Sequence, residues 1–285
     1  KVHKPVIWTL HDCWAFTGKC AHFSMVKCEK WKTGCQHCPQ LSSYPASKID
    51  NTKCMYNKKK GWFTGVKNMT LVTPSKWLAN LVDQSFLKGY KIEIINNGID
   101  LSIFKPTESN FREKYGIGSK KIILGVSYGW SDKKGLDVFI ELSRRLDHKK
   151  YKVVLVGTND SVDKQLSEHI LSIHLTHNQT ELAEIYSAAD IFINPTREDV
   201  FPTVNIEALA CGTPIITSNT GGSPEILDES CGSIIDCNDV VELEKEIVRI
   251  CSEKPYLIEA CIKRAKKFNM HDKYIEYVEL YERLL

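Results

Sequence analysis

The sequence predicts an α/β fold built of two Rossmann-like, doubly wound lobes. Short apolar runs alternate with amphipathic helical patterns along most of the chain, which is typical of parallel sheets covered by helices. A length of 285 residues is enough for two such domains. A turn-rich and then polar segment at residues 96–117 separates two blocks of this alternation and suits a hinge.

The first lobe is predicted from three apolar strands at residues 4–12, 69–75 and 90–99, with a helix at residues 75–87. A complete lobe needs more strand–helix–strand units than these. The chain also begins at Lys1 without a methionine. We therefore expect residues 1–106 to be the C-terminal part of a lobe that is truncated at its N-terminus.

The second lobe is predicted over residues 107–268, with the boundary near Pro106. Six apolar runs separated by helical patterns predict its parallel strands, at residues 120–127, 151–157, 170–175, 190–194, 213–217 and 232–236. The last segment, residues 269–285, has aromatic and aliphatic residues at helical spacing, such as Tyr274, Tyr277 and Tyr281. It predicts an amphipathic helix that crosses back to the first lobe.

Composition restricts the class of protein. With 42% hydrophobic and 26% charged residues and a net charge of +3, the chain fits a globular protein and lacks the basic tract of a nucleic-acid-binding protein. No apolar run is long enough to span a membrane. The "KKKGWF" at residues 58–63 predicts a solvated loop, with a peripheral contact to the inner face of the membrane as the open alternative. The odd number of cysteines, eleven, favours a reducing compartment and hence the cytoplasm.

Acidic residues mark the carboxyl end of one predicted strand of the second lobe. Glu198 and Asp199 follow the strand at residues 190–194, and Glu207 lies one turn into the next helix. Ligands of open parallel sheets bind at this edge, where the backbone N–H groups of Thr203, Val204 and Asn205 could hold a phosphate. A carboxylate at Glu207 then suits ribose hydroxyls and is not expected to serve the core.

Four cysteines in the first lobe form a separate cluster, Cys20, Cys28, Cys35 and Cys38, in a Cys-rich insertion. A Cys-x2-Cys pair with two further thiols matches the ligand number of tetrahedral zinc, so a structural zinc site is predicted. Two disulfides or four free thiols are the alternatives. Cys13, His22 and His37 are alternative ligands.

Six motifs in a fixed order resemble the retaining, nucleotide-sugar-dependent glycosyltransferases of the GT-B fold, family 4, in particular those of bacterial polysaccharide assembly. The resemblance covers nearly the whole chain. The motifs are "TLHDCW" (9–14), "VTPSKWLANLV" (72–82), "INNGIDLSIFKP" (95–106), "DKKGLDVFIEL" (132–142), "ELAEIYSAADIFINPT" (181–196) and "IEALACGTPIITSNTGGSPEIL" (206–227).

The resemblance implies roles for the acids and for one histidine. It implies a nucleotide-diphosphate sugar donor, a glycan or lipid-linked acceptor, retention of configuration, and no metal or other cofactor in catalysis. Glu207 would bind the ribose, and the acid eight positions earlier would lie by the anomeric carbon. That position holds Asp199 where the family usually has Glu, and the adjacent Glu198 is its rival. His11 would touch the transferred sugar, while Asp12 orients its imidazole or caps the following turn.

The resemblance also implies how the diphosphate and sugar are held. Lys134 would contact the diphosphate, and Lys133 would compensate for the basic residue that the family has after Gly125. Gly221 and Gly222 would let the backbone approach the sugar closely. Pro202 replaces a family glycine and removes one N–H group from the phosphate cradle.

The sequence is also compatible with two other functions. A truncated or degenerate lobe pair could bind a nucleotide sugar without turnover, which the departures at Asp199 and Val126 favour. A nucleotide-sugar epimerase would share the nucleotide site but would need paired acid and base groups.

Overall fold

The computed structural model describes residues 4–285, whose contacts form two compact units. The first unit contains the chain up to Asn97, together with Glu198–Phe201 and Lys273–Leu285. The second unit contains Gly98–Arg197 and Pro202–Asp272. The expected boundary near Pro106 therefore falls inside the second unit, because the units divide between Asn97 and Gly98.

The first unit is built on a three-stranded parallel sheet in the order β1-β2-β3. These strands are β1 (Val6–Thr9), β2 (Met69–Thr73) and β3 (Lys91–Ile94). The central strand β2 is buried at every position, as its mostly apolar and β-branched sequence predicts for a strand covered on both faces. The three strands expected in this part of the chain are confirmed.

Two helices accompany this sheet, α1 (Thr52–Phe63) and α2 (Lys76–Asp83). The hydroxyl of Ser75 caps α2 by accepting the N–H of Leu78 at 3.2 Å. The solvated loop predicted for residues 58–63 is wrong, because these residues are the second half of α1. Lys59 is only 1% exposed there, and its amine donates to backbone carbonyl oxygens of a neighbouring loop.

Aromatic side chains of the Cys-rich insertion between β1 and α1 belong to the apolar core of the first unit. Phe16, Phe23 and Trp31 are buried, with ring centroids 5.1 Å apart for Phe23 and Trp31 and 5.4 Å apart for Phe16 and Trp31. Aromatic pairs at these separations contribute about 0.5–1.5 kcal/mol beyond their burial. This cluster orders a segment that has two short 3₁₀ turns, Trp14–Phe16 and Lys30–Lys32, as its regular structure.

The second unit is built on a six-stranded parallel sheet in the order β6-β5-β4-β7-β8-β9. The strands are β4 (Lys121–Val126), β5 (Tyr151–Val156), β6 (Ile170–Ile173), β7 (Ile191–Asn194), β8 (Ile215–Ser218) and β9 (Gly232–Ile235). All six predicted strands are confirmed. The strand order reverses between β4 and β7, and such a switch point opens a ligand crevice at the carboxyl ends of the two strands.

Helices cover this sheet and pack apolar side chains against it. They are α3 (Phe111–Lys114), α4 (Leu136–Arg145), α5 (Asp160–Asp163), α6 (Gln179–Ala188), α7 (Thr203–Ala210), α8 (Ser223–Ile226), α9 (Val240–Glu253) and α10 (Ile258–Ala265). Phe139 and Leu142 of α4 are fully buried in one cluster with Ile123 and Leu155 of the sheet. Burial of each such side chain contributes about 1.5–3 kcal/mol.

The last helix, α11 (Met270–Leu284), groups with the first unit from Lys273 onward. Leu280 is fully buried there and packs with Val72 and Ile95. The hydroxyl groups of Tyr277 and Thr9 lie 3.1 Å apart. Within residues 4–285, none of the helices combines the length and the apolar character that crossing a membrane requires.

Candidate active site

The crevice of the second unit carries a lysine-bearing turn between β4 and α4. A short 3₁₀ turn, Asp132–Lys134, leads into Gly135, which has φ +74°. A Cβ atom at Gly135 would lie 2.5 Å from Cγ of Pro195, so only glycine fits between the turn and the segment after β7. Lys133 and Lys134 are both half-buried at this edge of the sheet.

Arg197 fixes this turn, although no sequence motif indicated it. Its guanidinium donates two parallel hydrogen bonds to Asp137, at 2.7 and 2.8 Å, and a third to Asn238 at 2.8 Å. The guanidinium also donates to the carbonyl oxygen of Asp132. The backbone N–H of Arg197 donates to the carbonyl oxygen of Lys133 at 2.8 Å. The hydrogen bonds from Arg197 lower the pKa of Asp137. Because Asp137 compensates its charge, Arg197 positions the lysine turn rather than supplying a cation.

The N-terminus of α7 lies beside β7 and follows Pro202. The N–H of Asn205 donates to the carbonyl oxygen of Pro202 at 3.2 Å, so the expected phosphate cradle of three N–H groups is wrong at that position. Thr203 and Val204 are half-buried and remain as donors at the helix start. The buried side chain of Asn205 accepts a hydrogen bond from Asn194 at 2.8 Å and thereby ties α7 to the end of β7.

Glu207 lies one turn into α7 and is half-buried. Its carboxylate accepts a hydrogen bond from the hydroxyl of Tyr186 at 3.1 Å, and Tyr186 is fully buried. Burial raises the pKa of Glu207, although hydrogen bonds from Tyr186 and Thr203 act in the opposite direction. The expectation that this carboxylate does not serve the core is therefore wrong, since it also satisfies a buried hydroxyl.

This environment predicts a pH dependence of stability. The pKa of Glu207 in the folded chain lies above its ordinary value of 4.5, so the folded chain holds the proton more tightly than the unfolded chain does. The resulting stabilisation is complete below the ordinary value and is lost as pH rises through the folded pKa. We expect the Tm of the wild-type protein to fall relative to that of Glu207→Gln as pH rises above 4.5. Parallel Tm profiles would contradict this expectation, and Glu229→Gln, at an exposed glutamate, is the control.

Two buried hydroxyl groups at the same edge of the sheet have no hydrogen-bond partner among residues 4–285. Ser127 follows β4 directly, and Ser223 is the first residue of α8, after β8. Ser223 comes directly after Gly221 and Gly222, and Gly221 has φ +59°. A buried hydroxyl without a partner is unfavourable by about 1–3 kcal/mol, so these two groups are donors or acceptors that a ligand could satisfy.

His11 lies in the first unit, directly after the strand-like segment that ends at Leu10. Its side chain is exposed, and the N–H of Leu10 donates to the carbonyl oxygen of Val72 at 2.8 Å. Asp12 accepts the N–H of Trp14 at 2.7 Å. Of the two roles expected for Asp12, the structure shows the capping of the following turn.

The adjacent acids Glu198 and Asp199 have different surroundings within the first unit. Glu198 is 4% exposed and accepts the N–H of Met25 at 3.1 Å. Asp199 is half-buried, and its carboxylate accepts the N–H of Phe201 at 3.3 Å. Asp199 therefore retains solvent contact that Glu198 has lost.

The four cysteines of the insertion are half-buried thiols in the structure. The thiols of Cys20 and Cys38 are close enough to interact electrostatically, as are those of Cys35 with Cys28 and Cys38. In residues 4–285, no three of these sulfur atoms lie within 4.8 Å of one another, a spacing that Asp160, Asp163 and His174 do show. That exposed group is explained by its own hydrogen bonds, since Asp163 accepts from Ser172 at 2.5 Å and lies 2.6 Å from His174.

Comparison with known proteins identifies the second unit. The family described as "Glycosyl transferases group 1" matches residues 107–268. A protein of Escherichia coli K12, WcaC, whose name describes a glycosyl transferase of colanic acid biosynthesis, is 28% identical over 252 residues. A Bacillus subtilis 168 protein, YtcC, named as a glycosyltransferase, is 26% identical over 245 residues. The alignments cover 85% and 75% of this chain, but only 60% of each relative.

Solved structures show the same fold. The Anabaena protein Alr3699/HepE, in complex with UDP-glucose, superimposes with a TM-score of 0.72 at 15% identity, over 98% of this chain and 72% of that one. Sucrose-phosphate synthase from Thermosynechococcus elongatus gives a TM-score of 0.69 at 21% identity, over 83% of this chain and 62% of that one. The predicted α/β fold with parallel sheets in two Rossmann-like lobes, the GT-B fold, is thereby confirmed.

Proposed function

Because the chain belongs to the glycosyl transferases group 1 family, we propose that it transfers a sugar, with retention of configuration, from a nucleotide-diphosphate donor to a glycan or lipid-linked acceptor. The observation that carries the donor part is the crevice of the second unit. Lysines, helix N–H groups, a carboxylate and two unsatisfied hydroxyls meet there at the carboxyl edge of one sheet.

The diphosphate is assigned to the lysine turn and to the start of α7. Lys134, with Lys133 beside it, supplies positive charge, and the N–H groups of Thr203 and Val204 add the dipole of the helix. The bonds from Arg197 hold the turn before the ligand arrives, so little conformational entropy is lost on binding.

The ribose is assigned to Glu207, whose orientation is fixed by the hydroxyl of Tyr186. A carboxylate can accept hydrogen bonds from both hydroxyls of a diol. The sugar is assigned to Gly221 and Gly222, where the backbone carries no side chain that would block a close approach. The hydroxyls of Ser127 and Ser223 would gain partners from the same ligand.

The proposed reaction breaks the bond between the anomeric carbon and the phosphate oxygen and forms a bond from that carbon to an acceptor hydroxyl on the same face. The acceptor proton passes to the departing phosphate. His11 and Asp199 are assigned to the positive charge that develops at the anomeric carbon. Lys134 and the α7 N-terminus stabilise the leaving group, so the proposal needs no catalytic metal.

The name of one relative indicates a chemical class for the acceptor. WcaC is named for the biosynthesis of colanic acid, which suggests a growing polysaccharide or its lipid-linked precursor as acceptor. The eleven free cysteines suit the reducing cytoplasm, where such a lipid-linked acceptor would require a peripheral contact with the membrane.

Titration of the chain with UDP-, GDP- and ADP-sugars, combined with assays of donor hydrolysis and transfer, tests the proposal. We expect one donor class to bind and to turn over. Lys134→Ala should weaken its affinity by about ten- to a hundredfold, the loss of a charged hydrogen bond. Lys149→Ala, at an exposed lysine near the opposite edge of the sheet, should leave the affinity unchanged. Binding without any turnover would favour the degenerate binding protein, and no binding at all would overturn the proposal.

A further inference from the structure

One glycine of the Cys-rich insertion, Gly18, lies directly against a cysteine of the cluster. Gly18 donates its N–H to the sulfur of Cys35 at 3.1 Å. A Cβ atom at Gly18 would lie 2.8 Å from Cβ of Cys35 and 2.4 Å from the carbonyl oxygen of Thr52, so no other residue allows this approach. The backbone is thus shaped to bring an N–H donor to a sulfur atom, and such a donor stabilises a thiolate more than a thiol.

Two buried lysines surround the same thiols. Lys59 is 1% exposed and donates to the carbonyl oxygens of Trp14 and Thr17, at 2.7 and 3.1 Å. Lys19 is 9% exposed and donates to the carbonyl oxygens of Gln40 and Ser43, at 3.1 and 2.8 Å. In the part of the chain that the structure describes, neither amine forms a salt bridge with a carboxylate.

These amines lie within electrostatic reach of the cluster. Lys59 interacts with Cys35 and Cys20, and Lys19 interacts with Cys20. Lys59 also interacts with Asp12, whose carboxylate accepts the N–H of Trp14. A buried cation is strongly unfavourable unless an opposite charge compensates it. The carboxylate of Asp12 and the Trp14 ring, whose centroid is 3.4 Å from the amine of Lys59, offset part of this charge. Four neutral thiols or two disulfides would supply none of the remainder.

We propose that Cys20, Cys28, Cys35 and Cys38 bind one zinc ion as thiolates. Binding releases four protons to solvent and leaves a tetrathiolate centre with a net charge of about −2, which two ammonium groups balance. Zinc–sulfur bonds of about 2.3 Å require the sulfur atoms to move closer than they are in the structure. The four cysteines lie within 19 residues of one insertion, and only two residues separate Cys35 from Cys38.

The site is independent of the proposed glycosyl transfer, but it would stabilise the segment that follows His11. The N–H of Cys13 donates to the carbonyl oxygen of Ala21 at 2.8 Å, which ties that segment to the insertion. Lys59 bridges from α1 to the carbonyl oxygens of Trp14 and Thr17. Loss of the metal would therefore loosen the segment of the first unit that follows His11.

Elemental analysis of the full chain, purified without chelator or added metal, tests the proposal. We expect about one zinc per chain. The double variant Cys35→Ser/Cys38→Ser should lose the metal, while Cys54→Ser, at an exposed cysteine outside the cluster, should retain it. Zinc well below one equivalent in the wild-type protein overturns the proposal. Thiol titration after denaturation then separates free thiols, with all eleven reactive, from two disulfides, with four fewer.

Two further measurements keep the proposal testable if the double variant does not fold. Wild-type protein reconstituted with Co²⁺ should show the intense visible absorption of tetrahedral cobalt and a sulfur-to-cobalt charge-transfer band, and weak octahedral absorption would overturn the site. Lys59→Gln should bind zinc about 10- to 100-fold more weakly in a chelator competition, and exposed Lys60→Gln should match the wild type. Equal affinity in Lys59→Gln would overturn the charge balance on which the proposal rests.

Discussion

Glu207→Ala is expected to reduce donor affinity by about two to four orders of magnitude. The carboxylate would accept two hydrogen bonds from the ribose, and each hydrogen bond to a charged group is worth about 1.5–3 kcal/mol. The same substitution leaves the buried hydroxyl of Tyr186 without its acceptor, which lowers stability by about 1–3 kcal/mol. Isothermal titration calorimetry with the nucleotide sugar measures the first effect, and thermal unfolding measures the second.

Two companion variants separate the ribose contact from the internal contact. Tyr186→Phe removes the hydroxyl but keeps the carboxylate, so it should change donor affinity far less than Glu207→Ala does. Glu207→Gln keeps an acceptor for Tyr186 but loses the charge. Compared with Glu207→Ala, it should recover more of the lost thermal stability than of the lost donor affinity. Unchanged nucleotide affinity in folded Glu207→Ala would remove Glu207 from the donor site.

The sheets could be predicted because their central strands are covered on both faces. The strand β7, for example, is buried at all four positions, and three of its four residues are apolar. The helix α1 could not be predicted in the same way, since its second half carries three lysines in a row before Gly61. Lys59 is buried there by carbonyl oxygens of Trp14 and Thr17, partners that are distant in sequence.

The candidate site shows the same division between local and distant information. Positions such as Lys134 and Glu207 follow from strand and helix ends, which local sequence indicates. Arg197 was missed because its role depends on Asp137, on another segment of the fold. Tyr186 looked like an ordinary apolar position of α6, and only packing reveals that its hydroxyl orients a carboxylate.

Glu198 and Asp199 are adjacent in the sequence, which alone does not show which of them is the catalytic acid. Both acids follow β7, and either could match the family position when the sequence is considered alone. Burial separates them, because Glu198 is enclosed with the N–H of Met25 while Asp199 stays half-exposed. A buried carboxylate whose acceptor capacity is used internally is a poor candidate for a group that meets a substrate.

Asp199→Asn is therefore expected to lower kcat by about a hundred- to a thousandfold, with little change in Tm or in nucleotide affinity. The amide keeps the size of the side chain but removes the negative charge assigned to the transition state, and the loss of one such electrostatic contact has that magnitude. Glu198→Gln should behave in the opposite way, with kcat reduced less than about tenfold and a lower Tm, because its buried contact with Met25 is weakened. Steady-state transfer kinetics and thermal unfolding of both variants give the ranking, and a larger loss of kcat in Glu198→Gln would assign the catalytic position to Glu198.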